Sequence, residues 1–360
     1  MVEQNLEERE EFSGFLRGII KNHKTISFIG LERGCGKTSS FKSFLASSKD
    51  QILGISSIGT DHSASHDNPE DNGLVYIPQN TLVATARQTL SLCDPTKEIL
   101  ETTGVETPMG EVVLFKALSA GYVFLAGPSI LADSIQIKQA LFNAGAQSVM
   151  LDGAADRKSP ALPQLSDGVV LTTNLFSDQI EHTAEKIIHD VEILTLEALE
   201  NRGLADICRK QILCPEPYFL IDENLNVHCP QSEEEKANLL YFIAHFDKKI
   251  RAIGLKGALT NSRLAPLLKA ETNILKKIQQ VPLVIEDPTK CFISSINRNV
   301  FMKNNLLLRV INPVNLLALC INPSQTGLNK SQLTRVLMDF SRHFKLPVMD
   351  VRGGVYVEGF

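Results

Sequence analysis

The chain has 360 residues, 43% hydrophobic and 21% charged, with a formal charge of −5, a composition that suits a globular protein of two domains and excludes long disordered tracts. Carboxylates outnumber basic groups, so there is no electrostatic footprint for nucleic acid. No apolar run reaches the ~18 residues of a membrane helix, and the opening MVEQNLEEREEF is acidic where a secretory signal is basic and then apolar, so we expect a cytoplasmic protein that binds neither nucleic acid nor membrane.

In chain order, Phe12, Phe15, Leu16, Ile19 and Ile20 recur at helical spacing and predict a helix over about 7–21. TISFIG then reads as a buried strand feeding a turn, and KTSSFKSFLASS as the helix after it. ILGISSIG and GLVYIP are expected strands, TLVATARQTLSLC an expected helix, and EVVLFKAL and YVFLAG strands again. A helix over 131–143 precedes SVMLDG and GVVLTTN, whose near-continuous apolar runs suit strands of a parallel sheet covered on both faces. A long helix is expected over 178–201. The proline-rich, polar stretch CPEPYFLIDENLNVHCPQSEEE marks a boundary, and beyond it short apolar runs and amphipathic helices alternate again. The pattern predicts an α/β protein: a doubly wound, mostly parallel sheet in residues 1–205, and a second, smaller α/β domain in 206–360. The seven cysteines, Cys35, Cys93, Cys208, Cys214, Cys229, Cys291 and Cys320, form no CxxC pair and are expected as reduced thiols.

One segment carries chemistry: Gly30-Leu31-Glu32-Arg33-Gly34-Cys35-Gly36-Lys37-Thr38-Ser39, between an expected strand and an expected helix. Glycines let backbone N–H groups converge on phosphate oxygens, and the helix amino terminus adds a favourable dipole. We therefore expect a phosphate-binding P-loop built from Gly30, Arg33, Gly34, Cys35, Gly36, Lys37, Thr38 and Ser39. Lys37 would neutralise the β and γ phosphates of ATP or GTP, and the Thr38 hydroxyl would ligate Mg²⁺. The spacing departs from GxxxxGK[ST], because position 31 is leucine and the first glycine is Gly30.

Asp152 closes the apolar run Val149-Met150-Leu151, which suits either a ligand of the Mg²⁺ shell or a turn-capping carboxylate. Asp61, after ILGISSIG, could orient water near the γ phosphate. Arg157, beside Asp156, could act as an internal arginine finger or form a surface ion pair. Asn174, at a strand end, could read a base or cap the next helix. His62, His66 and Asp67 have metal-ligand spacing, but a polar loop has the same composition.

The run Arg33-Gly34-Cys35-Gly36-Lys37-Thr38 resembles the variant P-loops of dethiobiotin synthetase and of Min-type and nitrogenase-iron-protein-type ATPases. Glu32 stands where the dimeric members carry a lysine that reaches the partner's nucleotide. A resemblance covering most of the chain runs through GL-x-RG-x-GKT, SSIG-x-D, LVATA, AGPS, GAQSVMLDGAADRKS and SDGVVLTT. These motifs are similar to those of P-loop proteins that accompany cobalamin-dependent lysine and ornithine aminomutases, pair with a MutS-like ATPase and are proposed as a subunit of a reactivating factor. The resemblance implies nucleotide-driven release of damaged cofactor from a partner enzyme, with Gly30, Gly34, Gly36, Lys37, Thr38, Asp61, Asp152, Asp156 and Arg157 carrying over. No DxHxxG run for cobalamin is present. A small-molecule ligase or kinase, and a non-hydrolysing nucleotide sensor, remain alternatives, and dimerisation stays open.

Overall fold

The computed structural model describes residues 2–48, 51–59, 73–155, 158–176 and 180–359. The chain begins with α1 (Val2–Lys21), β1 (Thr25–Gly30), α2 (Lys37–Ala46), β2 (Leu53–Ser57), β3 (Leu74–Ile77) and β4 (Leu82–Ala86). Then come β5 (Lys97–Thr107), β6 (Gly110–Ala117), β7 (Gly121–Phe124), α3 (Leu131–Asn143), β8 (Ser148–Ala155), β9 (Gly168–Phe176) and α4 (Ile180–Leu194). The middle of the chain forms α5 (Arg202–Gln211), β10 (Tyr218–Asp222), β11 (Val227–His228), α6 (Glu233–Ala237), α7 (Leu239–His245), β12 (Ile250–Leu255) and β13 (Leu259–Thr260). It continues through α8 (Asn261–Leu268), α9 (Thr272–Ile278), β14 (Pro282–Ile285), β15 (Cys291–Phe292), α10 (Ser295–Lys303) and β16 (Leu307–Val310). The last elements are β17 (Leu316–Gln325), α11 (Lys330–Phe344), β18 (Val348–Asp350) and β19 (Val355–Val357).

Two compact units result: residues 1–184 with 315–360, and residues 185–314. The first is built on a ten-stranded sheet in the order β19-β18-β17-β9-β1-β8-β2-β4-β6-β5. From β18 to β4 every pairing is parallel, while β19, β6 and β5 add antiparallel edges. Successive residues of a strand face opposite sides, and β8 makes use of this. Met150 joins a core with Phe28, Phe41 and Phe44, whereas Val149 and Leu151 join a second core with Ile137 and Leu141 of α3. Both faces of the sheet are therefore covered, and β1, central in the order, is buried along its whole length. Phe28 meets Phe41 and Phe44 edge-on at 5.3 and 5.1 Å, which fixes α2 against the strand that precedes it.

The second unit has a five-stranded sheet in the order β11-β10-β12-β14-β16, with β12, β14 and β16 parallel and β10 and β11 antiparallel. Leu220 and Ile253 belong to one of its cores, Phe219 and Ala252 to another, so this sheet too is covered on both faces.

Three sequence expectations change. TLVATARQTLSLC, read as a helix, is strand β4 followed by a 3₁₀ turn over Arg87–Leu92. All five residues of β4 are buried between β2 and β6, and burial on both faces removes the alternation that would have marked a strand. The helix expected to reach 201 stops at Leu194. The Leu199 N–H donates to the Val310 carbonyl and the Val310 N–H to the Glu197 carbonyl, so the chain there extends the edge of β16 instead. Finally, residues 315–360, assigned from sequence to the second domain, return to the first sheet: β17 pairs with β9 from Leu316 to Gln325. The smaller unit is thus an insertion between two neighbouring strands of the larger one. Among the described residues no helix is long and apolar enough to cross a membrane.

Candidate functional site

Parallel strands bring their carboxyl ends to one edge, and in open α/β sheets ligands bind at that edge. Here it gathers Gly30 of β1, Asp152 of β8, Thr172 and Asn174 of β9, Asn322 of β17 and Asp350 of β18. In register, Asp152 stands opposite Phe28 of β1 on one side and Ser57 of β2 on the other.

Beyond β1 the Leu31 N–H donates to the Thr172 carbonyl at 3.0 Å, which extends the pairing with β9 by one residue before the chain turns. Gly34 and Gly36 take left-handed conformations, with φ of 70° and 91°. A side chain at either would cost about 1–2 kcal/mol in that region. Gly36 is the N-cap of α2 and offers no side-chain cap to the helix, so its first turn presents N–H groups of the kind that bind anions. Thr38 and Ser39 are half-buried in that turn, while Arg33 is exposed.

Lys37, the first residue of α2, is mostly buried and donates from Nζ to Asp152 Oδ1. Their side chains keep only 10% and 13% of their exposure, so an ammonium and a carboxylate from adjacent elements satisfy each other with little water. On the other side of the loop, Glu32 Oε1 accepts from the Asn174 backbone N–H at 3.1 Å, and the Asn174 side-chain oxygen accepts from Asn322 Nδ2 at 3.0 Å. Asn322 lies over Gly36, where an added Cβ would be 3.5 Å from its amide nitrogen. The Ser39 hydroxyl accepts from Nε and Nη2 of Arg352 at 3.3 and 3.1 Å.

Burial pushes the Cys35 thiol above its ordinary range and pushes Cys320 up to about 12, so neither supplies a thiolate nucleophile at neutral pH. Burial also raises the Asp350 carboxyl, against the opposing backbone N–H groups of Gly353 and Arg352 and the Arg352 charge.

Most of the residues singled out in the sequence therefore meet at one edge: Gly30, Gly34, Cys35, Gly36, Lys37, Thr38, Ser39, Asp152 and Asn174. Asn174 is engaged by Glu32 and Asn322. Asp61, His62, His66, Asp67, Asp156 and Arg157 lie outside the described residues. Sequence reading placed Asn322, Asp350 and Arg352 in another domain and so did not join them to the glycine loop. Comparison with protein-family models, with curated proteins and with solved structures finds no match to the chain.

Proposed function

We propose that the larger unit binds a nucleoside triphosphate, ATP or GTP, together with Mg²⁺, as a P-loop NTPase-like domain does. The observation that carries this reading is the Lys37–Asp152 pair: a lysine at the start of the helix after a glycine loop, held by an acid in the carboxyl-terminal half of the adjacent parallel strand. This supplies a cation for phosphate oxygens, and a hydroxyl and a carboxylate, Thr38 and Asp152, for the metal shell. The left-handed Gly34 and Gly36 and the uncapped start of α2 support the same reading. Among the described residues no three His, Cys, Asp or Glu side chains cluster to hold a metal on their own. A Mg²⁺ ion shared with phosphate oxygens needs fewer protein ligands, and these residues fit that arrangement.

When bound, Mg²⁺ would neutralise negative charge on the phosphates. The chain's own part is to exchange partners. Lys37 would turn from Asp152 to the phosphates, and the Asp152 carboxylate, with the Thr38 hydroxyl, would hold the metal. Because breaking a buried pair on one side alone strands the other charge, polyanion and divalent cation are expected to bind cooperatively.

Within that reading we assign the protein an accessory role: a weak NTPase whose nucleotide cycle drives a conformational change on a partner enzyme. The motifs shared with P-loop proteins that accompany cobalamin-dependent aminomutases support this role, and a reactivating factor with a MutS-like ATPase is the corresponding assembly. Connectivity is compatible with it, since the chain leaves the larger unit after β9, which carries Asn174, and re-enters through β17, which carries Asn322. Calorimetry of Mg·ATP and Mg·GTP with wild type and Lys37→Ala tests nucleotide binding, with loss of binding expected in the variant. Unchanged affinity would overturn the reading. Turnover of tens per second by the isolated protein would contradict the accessory role.

A further inference from the structure

Arg352 was not among the residues the loop motif brings to notice, yet its guanidinium reaches Ser39, 313 positions earlier, through two donors. Its placement is built into the turn between β18 and β19. The buried Asp350 carboxylate accepts from the Arg352 N–H at 3.0 Å, which closes the turn at its base. The other carboxylate oxygen fills the space beside Gly353, where an added Cβ would lie 2.4 Å away. A side chain there would have to displace the carboxylate that sits inside the turn and bonds the Arg352 N–H. Arg352, Asp350, Asn322, Gly36 and Ser39 line one depression at the start of α2.

We propose that Arg352 is a nucleotide-contacting residue whose guanidinium binds the phosphate chain beside the first turn of α2. This deepens the P-loop reading and rests on it. The hydrogen-bond partner of the guanidinium is a neutral hydroxyl, with the Asp350 carboxyl close enough to feel its charge, and Arg352 is exposed. Such a bond is worth little in water, whereas a phosphate oxygen at the same place would make a charge-assisted, bidentate one. A polyanion in the loop would thereby draw the turn between β18 and β19 toward α2.

The test is calorimetry of wild type, Arg352→Ala, Arg352→Lys and Arg352→Glu with two probes, Mg·ATP and inorganic tripolyphosphate. Arg352→Ala should weaken both by about ten- to a hundredfold, the range of a hydrogen bond to a charged group. Arg352→Lys should lose less and Arg352→Glu more, with thermal unfolding unchanged because the side chain is exposed. Equal affinities of Arg352→Ala and wild type would overturn the proposal while leaving the P-loop reading intact. A loss confined to Mg·ATP would also overturn it, by placing the guanidinium on the ribose or base. If wild type binds neither probe, the P-loop reading falls and the proposal with it.

Discussion

Lys37 and Asp152 stand 115 positions apart, yet the ammonium of one rests on the carboxylate of the other at the carboxyl edge of β1 and β8. Each side chain is largely withdrawn from solvent, so each depends on the other until something replaces it.

Replacing the acid should therefore have two opposite effects. In Asp152→Asn, Lys37 loses its charged partner, and nucleotide without Mg²⁺ should bind more tightly than to wild type. The dependence on Mg²⁺ should meanwhile largely vanish. Titrations with and without a chelator measure both, and a variant that weakens chelated and Mg²⁺-loaded nucleotide alike would contradict this account of the pair.

Gly36→Ala should weaken nucleotide binding. Its φ of 91° is one that an L side chain adopts only at a cost of about 1–2 kcal/mol, and the new methyl would sit 3.5 Å from Asn322. The expected loss is about five- to thirtyfold in affinity, with a lower melting temperature. Gly14→Ala, at a site with open space within 4 Å, is the control and should leave affinity unchanged.

In the smaller unit, Asp222 is wholly buried and holds His228 and Lys248. Its carboxylate accepts from His228 Nε2 at 2.9 Å, from the Asn226 backbone and side chain, and from Lys248 Nζ at 3.3 Å. The bond from His228 is the chief cause that holds the carboxyl well below its ordinary 3.8, with Asn226 and Lys248 adding to it against burial. A depressed folded-state pKa means the stabilisation is whole at neutral pH and lost as pH falls below the unfolded value of about 4. Asp222→Asn should lower the melting temperature at pH 7 and flatten the acid limb of the stability curve. An acid limb identical to wild type would exclude Asp222 as its source.

How much of this was legible beforehand follows from the range of the interactions. The glycine loop, Lys37 and Asp152 could be read because each is declared within a few residues: a strand, a turn only glycine permits, a helix, and an acid after an apolar run, although β8 continues past Asp152 to Ala155. The turn carrying Arg352 could not, because its relevance depends on β17 joining β9 across the inserted unit, a pairing with no local signature. Strand β4 was misread for a related reason. Burial on both faces erased its period, and LVATA looks like helix when its neighbours β2 and β6 are unknown.

The most direct test is a crystal structure of the protein with Mg²⁺ and a non-hydrolysable nucleoside triphosphate. The account predicts phosphates enclosed by the backbone of residues 33–38, Lys37 Nζ on a phosphate oxygen and Asp152 turned to the metal shell. A nucleotide bound elsewhere, with Lys37 still resting on Asp152, would contradict it.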